Sequence, residues 1–155
     1  MNTNQELRME NILSFRSKMT HTQVQQELNE IDRFIQLNKL SKSGPSVTVT
    51  YSIEDHEGQQ LLDTEVLIPI CEHFTETEKY KCKNLFHLKG AIKARHNGNP
   101  QLLGNTINTL LHAIHENKWH QLTPVYCVNV KELPPNKDFN KMVIDTYIGV
   151  STSIL

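Results

Sequence analysis

The sequence predicts an α+β domain made of two pseudo-symmetric β-α-β-β repeats, whose strands form a curved antiparallel sheet carrying two helices. Three observations lead there. Two stretches carry apolar residues at helical spacing, the segments flanking them alternate or run apolar as strands do, and the second half repeats the first at an offset of 79 residues.

With 155 residues the chain is long enough for one domain with a buried core. Residues 1–8 read as a flexible N-terminus and 9–150 as one domain, with repeat 1 at about 9–70 and repeat 2 at about 84–150. Met9, Ile12, Leu13 and Phe15 sit without helical spacing in a strand at 9–18. Thr20 and Gln23 then form a T-x-x-Q capping box, which opens a helix to about Leu40. Its stripe is Val24, Leu28, Ile31 and Ile35, with Phe34 beside it. SKSGP at 41–45 ends the helix, with Gly44 free to adopt positive φ. Val47, Val49, Tyr51 and Ile53 alternate with hydroxyl residues, so they form a strand with one buried face. A polar connection at 54–60 leads to a hairpin partner at 61–70, and 71–83 reads as a loop joining the halves.

In the second half, 85–96 is a strand interrupted by Gly90. Asn99 caps a helix whose first residue is Pro100 and which runs to about Lys118. Leu103, Ile107, Leu110, Leu111 and Ile114 make its stripe. Pro124 opens the strand VYCVNV, the loop ELPPNKDFN follows, and MVIDTYIGVS is the last strand. The 79-residue offset places Ile31 on Leu110, Ile35 on Ile114, Pro45 on Pro124 and Val49 on Val128. Two such units can share sheets and leave a groove between them, which makes that face the default ligand site.

Composition narrows the function. A formal charge of −1 gives no net attraction to nucleic acid or anionic lipid, so neither nucleic acid nor a membrane is expected as a direct partner. Cys71, Cys82 and Cys127 are far apart and odd in number, which reads as reduced thiols in a cytoplasmic protein. No secretory leader or apolar span is visible. His112 and His115 share a helix face, but the spacing is not that of a zinc protease and no third ligand is evident. No metal, cofactor or catalytic residue is therefore assigned.

Specific residues carry a family likeness. His96, Gly98, Leu103, Leu110 and Pro124, and in the first half Gly44, Pro45, Tyr51, Asp63, Glu65, Pro69 and Ile70, occur in an order that resembles GyrI-like domains. These are the effector-binding domains of AraC- and MerR-type regulators, with stand-alone bacterial members. The resemblance implies a central cleft for amphipathic, often cationic, small molecules; some members inhibit a topoisomerase or hydrolyse small compounds. The first strand begins almost at the N-terminus, so the expectation is a domain without a DNA-binding module. One departure stands out. Where relatives carry a Glu after the Pro, this chain has Cys127, and a desolvated thiol stays protonated.

The expected cleft residues are Tyr51, Glu65, Phe86, Trp119, Tyr126, Cys127 and Tyr147. The aromatic rings could stack on a ligand or hold a cation. Taken singly, each ring also fits ordinary packing, Cys127 fits a small core residue, and Glu65 fits a solvated hairpin position. The expected function is non-catalytic binding of an amphipathic or apolar small molecule. A protein-protein adaptor or inhibitor, and then a small hydrolase, are the alternatives.

Overall fold

The computed structural model describes residues 1–131 and 139–152. Six strands and two α-helices occur among them: β1 (Asn2–Met19), α1 (His21–Leu37), β2 (Val47–His56), β3 (Gln59–Pro69), β4 (Lys81–Asn97), α2 (Leu103–Glu116), β5 (His120–Lys131) and β6 (Val143–Ser151). Residues 2–8 are the start of β1 rather than a flexible lead-in. The chain divides into two compact units, Met9–Phe86 and Met1–Arg8 with His87–Leu155.

In the unit Met9–Phe86, β3 is the central strand and pairs antiparallel with β1 and β2. Its even-numbered residues Val66 and Ile68, with Ile70 just past its end, pack with Leu13 of β1 against Ile31 and Ile35 of α1. The expected stripe is thus the one that is buried. The capping box is formed: Thr20 Oγ1 accepts from the Gln23 amide at 3.2 Å, and Gln23 Oε1 accepts from the Thr20 amide at 2.9 Å. The segment 71–83 does more than join halves, because Phe74 and Tyr80 belong to this core and β4 already begins at Lys81. Tyr80 donates to Glu27 at 2.9 Å, and Lys79 reaches the same carboxylate at 2.9 Å, which explains a buried acid on an otherwise apolar helix face.

The unit holding His87–Leu155 has the same build. Here β6 is central, paired antiparallel with β4 and β5. Ile92 and Ile148 pack against Leu110 and Ile114 of α2, with Trp119 and Val125 at the margin. Asn99 caps a 3-10 turn at Pro100–Leu102 that runs into α2. His96 is buried, with one ring nitrogen 2.8 Å from Thr106 Oγ1 and the other 2.8 Å from the Asn99 carbonyl, so it ties β4 to this turn. Of the expected loop 132–140, residues 132–138 lie outside the described residues.

The 79-residue repeat is visible in backbone detail. Lys39 and Lys118 take left-handed φ values of 55° and 57° just past the two helices. The next amide in each case reaches back to the helix, Leu40 to the Ile35 carbonyl at 2.9 Å and Trp119 to the Ile114 carbonyl at 3.0 Å. Asn38 and Asn117 each donate a side-chain amide to the carbonyl four residues earlier, at 2.8 Å. Lys39, rather than Gly44, is therefore the residue that stops α1, and Gly44 lies against Pro69 instead. The strands repeat as well. Register shifts fall between Thr50 and Ser52 on β2 and between Asn129 and Lys131 on β5, which makes Tyr51 and Val130 equivalent bulge residues. That bulge turns β2 outward, so Tyr51 and Ile53 are exposed and only Val47 and Val49 of the expected face are buried.

Gly149 marks the tightest approach among the described glycines. Its amide donates to Thr123 Oγ1 at 2.8 Å, and a Cβ there would lie 2.8 Å from Thr123 Cγ2 and 2.9 Å from Leu88 Cδ1. Gly149→Ala is expected to lower stability by about 1–3 kcal/mol through overpacking, measured by urea unfolding. An unchanged midpoint would show that β5 has room to move.

Candidate functional site

Side chains alternate along a strand, so the central strand of each unit sends one set toward its helix and the other away. On β3 the set facing away from α1 includes Asp63 and Glu65. On β6 the set facing away from α2 includes Asp145 and Tyr147. Glu65 and Asp145 are both buried, at 6% and 4% exposure, so Glu65 is no solvated hairpin residue.

The two acids hold equivalent places. Glu65 lies opposite Arg16 on β1 and Val49 on β2, and Asp145 lies opposite Arg95 on β4 and Val128 on β5. Their partners nevertheless differ. Arg95 grips Asp145 with two hydrogen bonds of 2.8 and 3.0 Å, and Lys93 adds an ion pair at 3.3 Å. Arg16 instead turns to Asp63, again with two bonds, at 3.0 and 2.9 Å. Val143 occupies the place of Asp63 in the other unit, so Arg95 has no such second acid.

Among the described residues, Glu65 is held by Tyr51 and Lys83. The Tyr51 hydroxyl donates to one carboxylate oxygen at 2.7 Å, and the Lys83 ammonium donates to the other at 2.6 Å. The Arg16 guanidinium lies 3.8 Å from the centre of the Tyr51 ring, so one aromatic side chain supports a cation with its face and an acid with its hydroxyl. The site is a buried carboxylate beside a half-open aromatic ring, closed by a lysine from β4.

Of the expected cleft residues, Tyr51 and Glu65 are brought together. Tyr126 and Tyr147 are cross-strand neighbours on the face away from α2. Cys127 falls on the opposite strand face, that of Val125, and burial pushes its thiol up to about 11. Trp119 packs on the α2 side beside Val125. Phe86 is half-buried on β4 at the end of the unit Met9–Phe86. Asp145 and Lys83 were not anticipated. An Asp inside the apolar run MVIDTYIGV was the available signal for the first, whereas Lys83 gave none.

A cleft of about 330 Å³ lies elsewhere in the unit Met9–Phe86, lined by Phe34, Leu40, His73, Phe74 and Glu76 among others. It shares no lining residue with the Glu65 group. His112 meets Glu116 at 3.0 Å on an exposed helix face, and among the described residues no three His, Cys, Asp or Glu side chains gather as a metal site. No helix among them is long and apolar enough to cross a membrane.

No protein-family model matches this sequence, and no curated protein does. Solved structures match its fold. The C-terminal domain of EcmrR agrees with a TM-score of 0.72 at 12% identity, over 97% of this chain and 99% of that one. The chain has the GyrI-like fold. The GyrI-like match extends to a hydrolase from Listeria innocua, with a TM-score of 0.58 at 14% identity over 97% and 94% of the two chains. It also includes SAV2435 bound to tetraphenylphosphonium, with a TM-score of 0.52 at 11% identity, again over 97% and 94%. Against the longer EcmrR chain in a DNA complex the TM-score is 0.75 at 13% identity, over 95% of this chain and 57% of that one. The chain thus spans a little over half the length of that protein.

The Asp145 grip carries a pH signature. Burial alone would raise this carboxyl, but hydrogen bonds from Arg95 and Lys93 outweigh it and hold the group below its ordinary value of 3.8. A depressed folded-state value stabilises above the ordinary value and loses that stability as pH falls through the folded one. Thermal melts of the wild type are expected to drop as pH falls below 3.8. Arg95→Met leaves a buried acid with Lys93 alone; it should cost roughly 3 kcal/mol at neutral pH and flatten the acid dependence. A variant that melts like the wild type at every pH would contradict the grip.

Proposed function

We propose that this chain is a non-catalytic binding domain for an amphipathic small molecule, with Tyr51 and Glu65 as the polar anchor of its site. The observation that carries this reading is the buried Glu65 carboxylate. A buried acid costs free energy and is retained where its charge or hydrogen bonds serve something. Here it stands beside an aromatic ring that is 38% exposed, and the pair offers a flat apolar surface with a negative end. SAV2435, a protein with the same fold, is seen with a lipophilic organic cation, and the same class of molecule suits this pair. The proposed partner is a small molecule rather than nucleic acid or a membrane surface, in keeping with a net charge of −1.

Tetraphenylphosphonium tests the reading. At about a hundred times its dissociation constant it should stabilise the wild type by about 2.7 kcal/mol, visible as a rise of several degrees in melting temperature. Glu65→Gln should lose most of that rise, and Tyr51→Phe should keep part of it. A full rise in Glu65→Gln would move the anchor elsewhere. No rise with this cation or with neutral amphipathic dyes would leave an adaptor or inhibitor acting by protein contact.

A hydrolytic reading has one support, the Listeria innocua hydrolase with the same fold. Turnover of generic esters that disappears in Glu65→Gln would establish it in place of simple binding.

A further inference from the structure

We propose that Lys83 is a built-in competitor for the ligand: its ammonium occupies Glu65 in the free protein and must leave the carboxylate before a cation can take its place. The inference rests on the Glu65 site proposed above and adds what sets its affinity and selectivity.

The two equivalent acids supply the argument. Asp145 is 5% exposed at its side chain and is held by a two-pronged guanidinium plus an ammonium. Two cations against one acid leave no charge to offer. Glu65 is buried to a similar degree, at 7%, but among the described residues its ion pair is with one lysine and no guanidinium. Its other partner, the Tyr51 hydroxyl, is neutral. The Arg16 guanidinium that could have locked Glu65 is engaged by Asp63 and by the Tyr51 ring. The same hydrogen bonds hold the Asp63 carboxyl below its usual range. Glu65 therefore has an occupant that can be exchanged, and Asp145 does not.

Lysine chemistry fits the exchange. An ammonium on a flexible four-carbon stem is strongly hydrated and loses little by swinging into water, whereas a guanidinium fork is held by its geometry. Glu65 cannot follow it into water, so release of Lys83 leaves a buried charge with no cation hydrogen-bonded to it until another arrives. The net exchange moves a well-hydrated cation to solvent and a poorly hydrated one onto the carboxylate. Small amines gain nothing over Lys83, while bulky organic cations with aryl groups also gain contact with the Tyr51 ring. Lys83 thus sets a threshold that only lipophilic cations pass.

The test is calorimetric titration of the full chain with tetraphenylphosphonium and with tetraphenylborate, which has nearly the same shape and the opposite charge. Lys83→Met should tighten tetraphenylphosphonium by about tenfold or more, as expected for removing an ion-pair competitor worth at least 1.4 kcal/mol. It should tighten tetraphenylborate not at all. Adding Glu65→Gln should erase the gain. Equal tightening of both ions would mean that Lys83 only fills space, and would overturn the proposal. Binding by the wild type that Lys83→Met leaves unchanged or weakens would overturn it too, with the Glu65 site intact. If neither protein binds either ion, the site itself fails. Should Lys83→Met not fold, Lys83→Gln removes the charge while keeping a hydrogen bond to Glu65, and the same contrast between the two ions decides.

Discussion

A carboxylate buried in the middle of a β-strand must find its counter-charge within reach of that strand, and in this chain the constraint arises twice. Glu65 and Asp145 occupy equivalent positions on the central strands β3 and β6, on the faces turned away from the helices. Each lies opposite an arginine on one neighbour and a valine on the other. Taking either acid out of water unpaired would cost several kcal/mol. Both units therefore need the pairing, and they achieve it with different atoms.

Three residue differences account for this. Where one unit has Asp63, the other has Val143, and so Arg16 is drawn aside while Arg95 is not. Where one has Tyr51 at the bulge, the other has Val130, and so only Glu65 receives a phenol. Where β4 carries Lys93 two residues before Arg95, β1 carries Ser14 two residues before Arg16, and Glu65 is met instead by Lys83 of β4. The outcome is one acid gripped by a guanidinium and an ammonium, and one held by an ammonium and a phenol. Two units of like build permit such a division, since one can keep the structural pairing while the other pairs differently.

Much of the fold was legible in the sequence. The capping box at Thr20, the cap at Asn99 and the stripes ending in Ile35 and Ile114 all act locally, and they form as their spacing indicates. The offset of 79 was legible too, though the strongest evidence for it, the Asn-Lys pairs that close both helices, lay unnoticed in LNKL and ENKW. The equivalence of Glu65 with Asp145 was hidden by one residue. From Tyr51 to Glu65 is one residue shorter than from Val130 to Asp145, so an offset of 79 sets Glu65 on Ile144. Tyr51 was placed on a buried face because a bulge cannot be seen in a period-two pattern. Cys127 drew attention as the missing acid of β5, whereas the acid of that unit is on β6. Lys83 sat in a stretch that looked like plain linker, and only tertiary pairing shows what it touches.

The central claim is that Glu65 is held by a cation that can be exchanged. A crystal structure of the full chain grown with tetraphenylphosphonium addresses it most directly. The account predicts the phosphonium beside Tyr51 and Glu65, with the Lys83 ammonium withdrawn into solvent and the Arg95 grip on Asp145 unchanged. A bound phosphonium anywhere else, with Lys83 still on Glu65, would contradict it.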